Sequence, residues 1–205
     1  MLADLPGALL PLDTEPVPWE SEARQSAVMV LLYPRRGVVH FVLTKRPDSM
    51  TRHPGQISLP GGVREPGDTS LWGTALRETV EEIGLRPGRL IALGRLEPYH
   101  LRVSEYVIHP FVGWNPICPS FRVQRSEVDE LIEVPIDRLL DPAAVLEETW
   151  QLRGRQWLVT FYRFGERDVW GATAHILAGL AQRLQHGLDY DKRSPGSVSA
   201  FFGDP

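Results

Sequence analysis

The chain has 205 residues, 42% of them hydrophobic and 23% charged, with a formal net charge of −4. That length suits one globular domain with a sizeable core, and a mildly acidic balance carries no electrostatic footprint for a nucleic-acid backbone. A single cysteine, Cys118, excludes an internal disulfide framework and reads as a small core residue rather than a nucleophile. No apolar run approaches the ~20 residues that span a bilayer, and the N-terminus lacks the basic region of a secretory signal. Neither nucleic acid nor membrane is expected as a partner, and the expected location is cytoplasmic.

Residues 1–25 are rich in proline and read as an arm, with a short helix over 20–25. An apolar run at 27–33 suits a buried strand, 34–37 a turn, and 38–45 its hairpin partner. Residues 46–59 form a loop ending in a short strand before Pro60. The pair Gly61-Gly62 then permits backbone conformations closed to other residues and lets a ligand approach closely. A helix is expected over about 70–84, capped at Thr69 or Ser70 and stopped at Gly84. Strands follow at 90–96 and 103–114, then a loop over 115–124. Pro135 suits the first turn of a short helix through Leu140. A late hairpin joins 146–152 to 156–164, turning at 153–155. Apolar residues at helical spacing place a helix over 171–186. The domain is expected over 26–190, with 191–205 as a loose tail.

The helix over 70–84 carries the chemistry. Glu78, Glu81 and Glu82 share one face within about 100°, while Trp72, Leu76, Val80 and Ile83 gather opposite and would seat it on a core. Three like charges on one face repel, and a divalent cation relieves the repulsion, since carboxylate oxygens are the hard ligands of Mg²⁺ and Mn²⁺. From the residues alone, a solvated charged face is an equal reading.

The segment 62–85 resembles the Nudix box, the metal-binding loop-helix of hydrolases of nucleoside-diphosphate-linked substrates. Its Arg-Glu-x-x-Glu-Glu-x-Gly core matches at Arg77, Glu78, Glu81, Glu82 and Gly84. Asp68 stands six after Gly62, as the box requires, but Arg77 falls nine later, so the loop carries one extra residue. Thr79 stands where an aliphatic residue is usual. Upstream, the stretch from Val42-Leu43-Thr44-Lys45-Arg46 through Arg52, Gly55 and Leu59-Pro60-Gly61-Gly62 is similar to the motif of the coenzyme A pyrophosphatase branch.

The resemblance implies an α/β fold, the Nudix α/β/α sandwich with a mixed sheet between helices. It implies Glu78, Glu81 and Glu82 as catalytic metal ligands for Mg²⁺ or Mn²⁺, with Arg77 orienting a glutamate by ion pair. It also implies hydrolysis of the diphosphate of coenzyme A to adenosine 3′,5′-bisphosphate and 4′-phosphopantetheine. Arg46, Arg52, Gly61 and Gly62 are the substrate-binding candidates, with Lys45 and His53 behind them. The general base is a box glutamate or one of Glu105, Glu127 and Glu130. Trp170 either stacks on adenine or packs in the core. Competing readings are a Nudix hydrolase of ADP-ribose, NADH or a diadenosine polyphosphate, a Nudix-like domain without catalysis, and an isomerase on the same fold.

Overall fold

The computed structural model describes residues 5–12, 23–51, 53–101, 105–152 and 154–188. At its centre lies β1 (Arg24–Arg35). It pairs antiparallel with β2 (Val38–Lys45) and with β4 (Gly61–Val63), and parallel with β7 (Tyr106–Trp114) from Arg24↔Tyr106 to Leu32↔Trp114. The main sheet runs β3 (Ile57–Ser58), β2, β1, β7, β5 (Ile91–Arg95). In addition, β6 (Tyr99–Leu101) pairs with β7, and β8 (Glu130–Pro135) with β2. One parallel pair among antiparallel ones makes the sheet mixed.

Strand periodicity explains the layers. Alternate side chains point to opposite faces, and β1 is apolar without a break from Ala27 to Pro34 because both faces are covered. Ala27, Met29, Leu31 and Tyr33, with Val42 and Phe111, pack under α2 (Leu71–Ile83) through Ala75 and Ile83. Val30 and Leu32, with Phe41, Leu43 and Val112, face the other way. There they meet α1 (Leu5–Ala8), α3 (Ile136–Leu140) and α4 (Gly171–Leu188). Leu177, Leu180 and Leu184 of α4 are almost fully buried, each contributing about 1.5–3 kcal/mol. The result is helix on sheet on helix, the expected α/β/α sandwich. Among the described residues no helix is long and apolar enough to cross a membrane.

Several local expectations need correction. The strand β1 starts at Arg24, so no helix occupies 24–25, and 13–22 lie outside the described residues. The arm is seated at 5–10: Leu5 and Leu9 are buried, Arg183 Nε donates to Ala8 O at 3.1 Å, and Leu10 bridges to Arg95. The strand expected over 103–114 is β7, starting at Tyr106, with 102–104 outside the described residues, and the short β6 before it is not among the expected strands. Pro135 ends β8 and caps α3 rather than entering its first turn. The late hairpin, β9 (Val145–Leu152) with β10 (Arg155–Phe164), is joined by β11 (Arg167–Val169) in a second, three-stranded sheet. Too short to show a period, β11 leaves no trace in the sequence. The helix α4 runs to Leu188, and the expected tail at 191–205 lies outside the described residues. Cys118 is exposed, not core.

Candidate active site

The helix α2 is held at both ends by local chemistry. Ser70 Oγ accepts from Gly73 N at 3.0 Å as an N-cap. Gly84 takes φ +66 as the left-handed C-cap, and its N–H returns to Val80 O. A Cβ at Gly84 would sit 2.7 Å from Arg122 O, so the following loop packs directly on this cap. Arg122 N and Gln124 N donate to Ile83 O and Glu82 O at 2.9 and 2.8 Å, satisfying the last carbonyls of the helix.

The buried face of α2 is not the one its apolar residues mark. Val80 is exposed, while Thr74, Ala75, Thr79, Glu82 and Ile83 are buried. The buried arc therefore takes in Glu82 and reaches half-buried Glu78. Thr79 fits where an aliphatic residue is usual because its hydroxyl donates to Ala75 O at 2.6 Å. Trp72 is half-buried, edge-on to Phe111.

Both glutamates meet the glycine pair. Gly61 N donates to Glu82 Oε2 at 3.3 Å. A Cβ at Gly62 would fall 2.4 Å from Glu78 Oε1, and one at Gly61, with φ +154, 2.4 Å from Ala27 O. Burial pushes the Glu82 carboxyl up to about 8. Glu78 adds to the rise, the Gly61 N–H and Arg46 oppose it, and Glu127 raises it further. Glu78 is also raised, by burial first, against the pull of Arg77, with Glu81 and Glu127 adding to the rise. Two adjacent acids that the protein alone leaves short of positive charge suit a divalent cation.

Arg77 is a hub. Its Nε and Nη2 grip Asp68 Oδ1 and Oδ2 at 3.0 and 3.1 Å, Nη1 reaches Glu78 Oε1 at 2.9 Å and Glu81 Oε2 at 3.0 Å, and Nη2 also donates to Val63 O. The guanidinium holds the Asp68 carboxyl down at about 2. Asp68 also accepts from Thr74 Oγ1 and Glu65 N, so it ties the box loop to the helix. Glu81 is turned to Arg77 and half exposed. Among the described residues, no three acid, cysteine or histidine side chains converge on one point. Glu78 and Glu82 fit an ion as a two-carboxylate set. Water and substrate phosphate would complete its shell, as Mg²⁺ commonly requires.

Of the basic candidates, Arg46 lies close enough to Glu82 to lower its carboxyl pKa, and its Nε is buried with no partner among the described residues. Lys45 pairs with Asp48 and Asp129 at 3.6 and 3.8 Å. His53 is exposed at φ +54, and Arg52 lies outside the described residues. Among the later carboxylates, Glu127 is near enough to raise both Glu78 and Glu82. Glu130 is paired with Arg167, and Glu105 sits in a turn whose carbonyl accepts from Arg24 N. Trp170 packs edge-on against Trp150, 5.8 Å between ring centres.

Comparison with known proteins agrees with this geometry. The NUDIX domain profile matches residues 23–163. NudL of Photorhabdus laumondii, an uncharacterized Nudix hydrolase, is 35% identical over 144 residues, covering 70% of this chain and 76% of that protein. The peroxisomal coenzyme A diphosphatase NUDT7 of Mus musculus is 31% identical over 160 residues, covering 77% and 66%. Two crystal structures share the fold at TM-score 0.54. They are RenU, a Nudix hydrolase of M. smegmatis (16% identity, covering 85% of this chain and 91% of that one), and a Nudix hydrolase of Alicyclobacillus acidocaldarius (15% identity, covering 87% and 100%). With the box helix, its glycine pair and the sandwich all in place, the chain belongs to the Nudix family of hydrolases.

Proposed function

We propose that this chain is a metal-dependent coenzyme A diphosphatase, releasing adenosine 3′,5′-bisphosphate and 4′-phosphopantetheine. The observation that carries the reading is one juxtaposition. Glu82, the more buried of the charge-short pair, lies near Arg46, whose buried Nε has no protein partner among the described residues and which stands in the coenzyme A-type stretch. The resemblance of that stretch, and the 31% identity to a coenzyme A diphosphatase, favour this substrate within the family.

Glu78 and Glu82 are the residues that would hold Mg²⁺ or Mn²⁺, with Glu81 contributing through water. The bound ion supplies charge neutralisation, an acidified water and stabilisation of the departing phosphate. Arg77 fixes the Glu78 carboxylate, and the Gly61 N–H fixes that of Glu82. The Nη groups of Arg46 would donate to a diphosphate oxygen, with Arg52 offering a second guanidinium for phosphate. Glu127 accepts the proton of the attacking water as the new P–O bond forms and the anhydride P–O bond breaks. Gly62, lacking a Cβ, leaves the Glu78 carboxylate its place against the backbone.

Mass identification of the products from coenzyme A with Mg²⁺ or Mn²⁺ tests the activity. ADP-ribose or NADH turned over faster at equal concentration would overturn the substrate assignment. Dephospho-coenzyme A should be the poorer substrate, and equal efficiency would remove any role for the 3′-phosphate. For Glu127→Gln, the acidic limb of the pH–rate profile should vanish. An unchanged limb assigns the proton elsewhere.

A further inference from the structure

A cavity of 620 Å³ opens where the C-terminal end of α2 meets the chain leaving β7, and neither Glu78 nor Glu82 lines it. Arg86 and Arg89 enter from the turn after α2, and Arg122 from the loop after β7. Among the described residues, none of these three guanidinium groups makes an ion pair or a hydrogen bond, although the chain as a whole is acidic. At the cavity wall lies Asn115, 4% exposed, whose Oδ1 is buried without a partner among the described residues. An unmatched buried amide is unfavourable. With Oδ1 closed off, the NH₂ group is what the amide offers to a ligand in the cavity.

One alternative is that the arginines merely complement the negative end of the α2 dipole. That accounts for cations near Gly84 but not for the orphaned amide, and the last two carbonyls of α2 already accept from main-chain donors. We propose that this cavity is a second ligand site, taking a phosphorylated small molecule. The three guanidinium forks match phosphate oxygens bidentately, and Asn115 bonds the body of the ligand. The volume exceeds what phosphate alone needs and falls within the range of ~300–1,000 Å³ typical of small-molecule sites. Exposed Ile117 offers an apolar surface beside the cations.

Cys118, the single cysteine, is exposed and lines the same cavity, so its alkylation reports occupancy without reference to catalysis. The full-length protein is treated with iodoacetamide in EDTA, with adenosine 5′-monophosphate or inorganic pyrophosphate as the probe. Either probe should slow labelling saturably, about tenfold at ten times its Kd, and added salt should weaken the protection. Protection by pyrophosphate shows that phosphate suffices. Protection by the nucleotide alone shows that the nucleoside is also bound. Protection should survive in Glu78→Gln and disappear in the Arg89→Ala/Arg122→Ala double variant. Asn115→Leu removes the unmatched acceptor, so it should fold at least as well as the parent while binding about tenfold more weakly. The proposal is overturned if labelling proceeds at one rate up to millimolar concentrations of both probes, or if protection is lost in Glu78→Gln. Undiminished affinity in Asn115→Leu would also overturn it.

Discussion

Replacing Glu82 with Gln keeps the shape of the side chain and its hydrogen bond from Gly61 while removing a charge that burial disfavours. The Glu82 carboxyl, 5% exposed, titrates at about 8 instead of 4.5, because of burial first and Glu78 second. The folded protein holds a proton there that the unfolded chain releases between these values, so metal-free stability falls as pH rises through that window. The loss from this one group is about 3 kcal/mol at pH 7 and about 5 kcal/mol above pH 8. Thermal unfolding in EDTA reads it directly. For a chain of this size 1 kcal/mol moves Tm by about 2–4 °C, so Glu82→Gln should melt roughly 10 °C or more above the parent near pH 8.5. The two curves should converge near pH 4.5. Mn²⁺ should close the gap by stabilising the parent at high pH, while turnover in the variant falls by orders of magnitude. A variant no more stable than the parent at pH 8.5, or a difference that does not change with pH, would refute the picture of a charge-short buried pair.

Gly62→Ala places a methyl group 2.4 Å from Glu78 Oε1, so activity should drop at least tenfold with a smaller change in Tm. Gly61→Ala strikes backbone instead and should unfold the protein before assay. Asp68→Asn frees Arg77 from its bidentate partner. Denaturant unfolding should show a loss of about 1–3 kcal/mol, with kcat reduced as Glu78 loses its fixed neighbour. Because the Asp68 carboxyl is held down at about 2 instead of 3.8, its stabilising contribution should be full above about pH 4, decline progressively below it and be gone once pH falls through 2. Thr79→Val restores the aliphatic residue usual in the box and removes donor and bond together, so its stability should lie within about 1 kcal/mol of the parent.

The parts of the fold written locally were legible. Val38–Lys45 is rich in β-branched and aromatic residues and bounded by turn residues, and it is a strand with those limits. Ser70 and Gly84 are cap residues and do cap α2. What depends on tertiary placement was not. Helical period groups Glu78, Glu81 and Glu82 but cannot say which flank of that group turns inward. The glycine pair beside the sheet draws in Glu82 and Glu78 and leaves Glu81 with Arg77. The extra residue in the box loop obscured the grip of Asp68 on Arg77, which spacing alone would not assign. Cys118 and Asn115 show opposite failures of composition as a guide to burial. The thiol is exposed and the amide is enclosed, because the turn after β7 sets both.

The two main-chain bonds from Arg122 and Gln124 to the end of α2 bear on how this family can vary. They anchor the segment leading to Glu127 through atoms common to all residues except proline. Side chains at 123–126 are therefore free to drift without displacing that carboxylate. The spacing between residues 122 and 127 is not free, since one insertion would carry Glu127 off the helix end. Relatives compared letter by letter would look unrelated across this stretch while keeping its length.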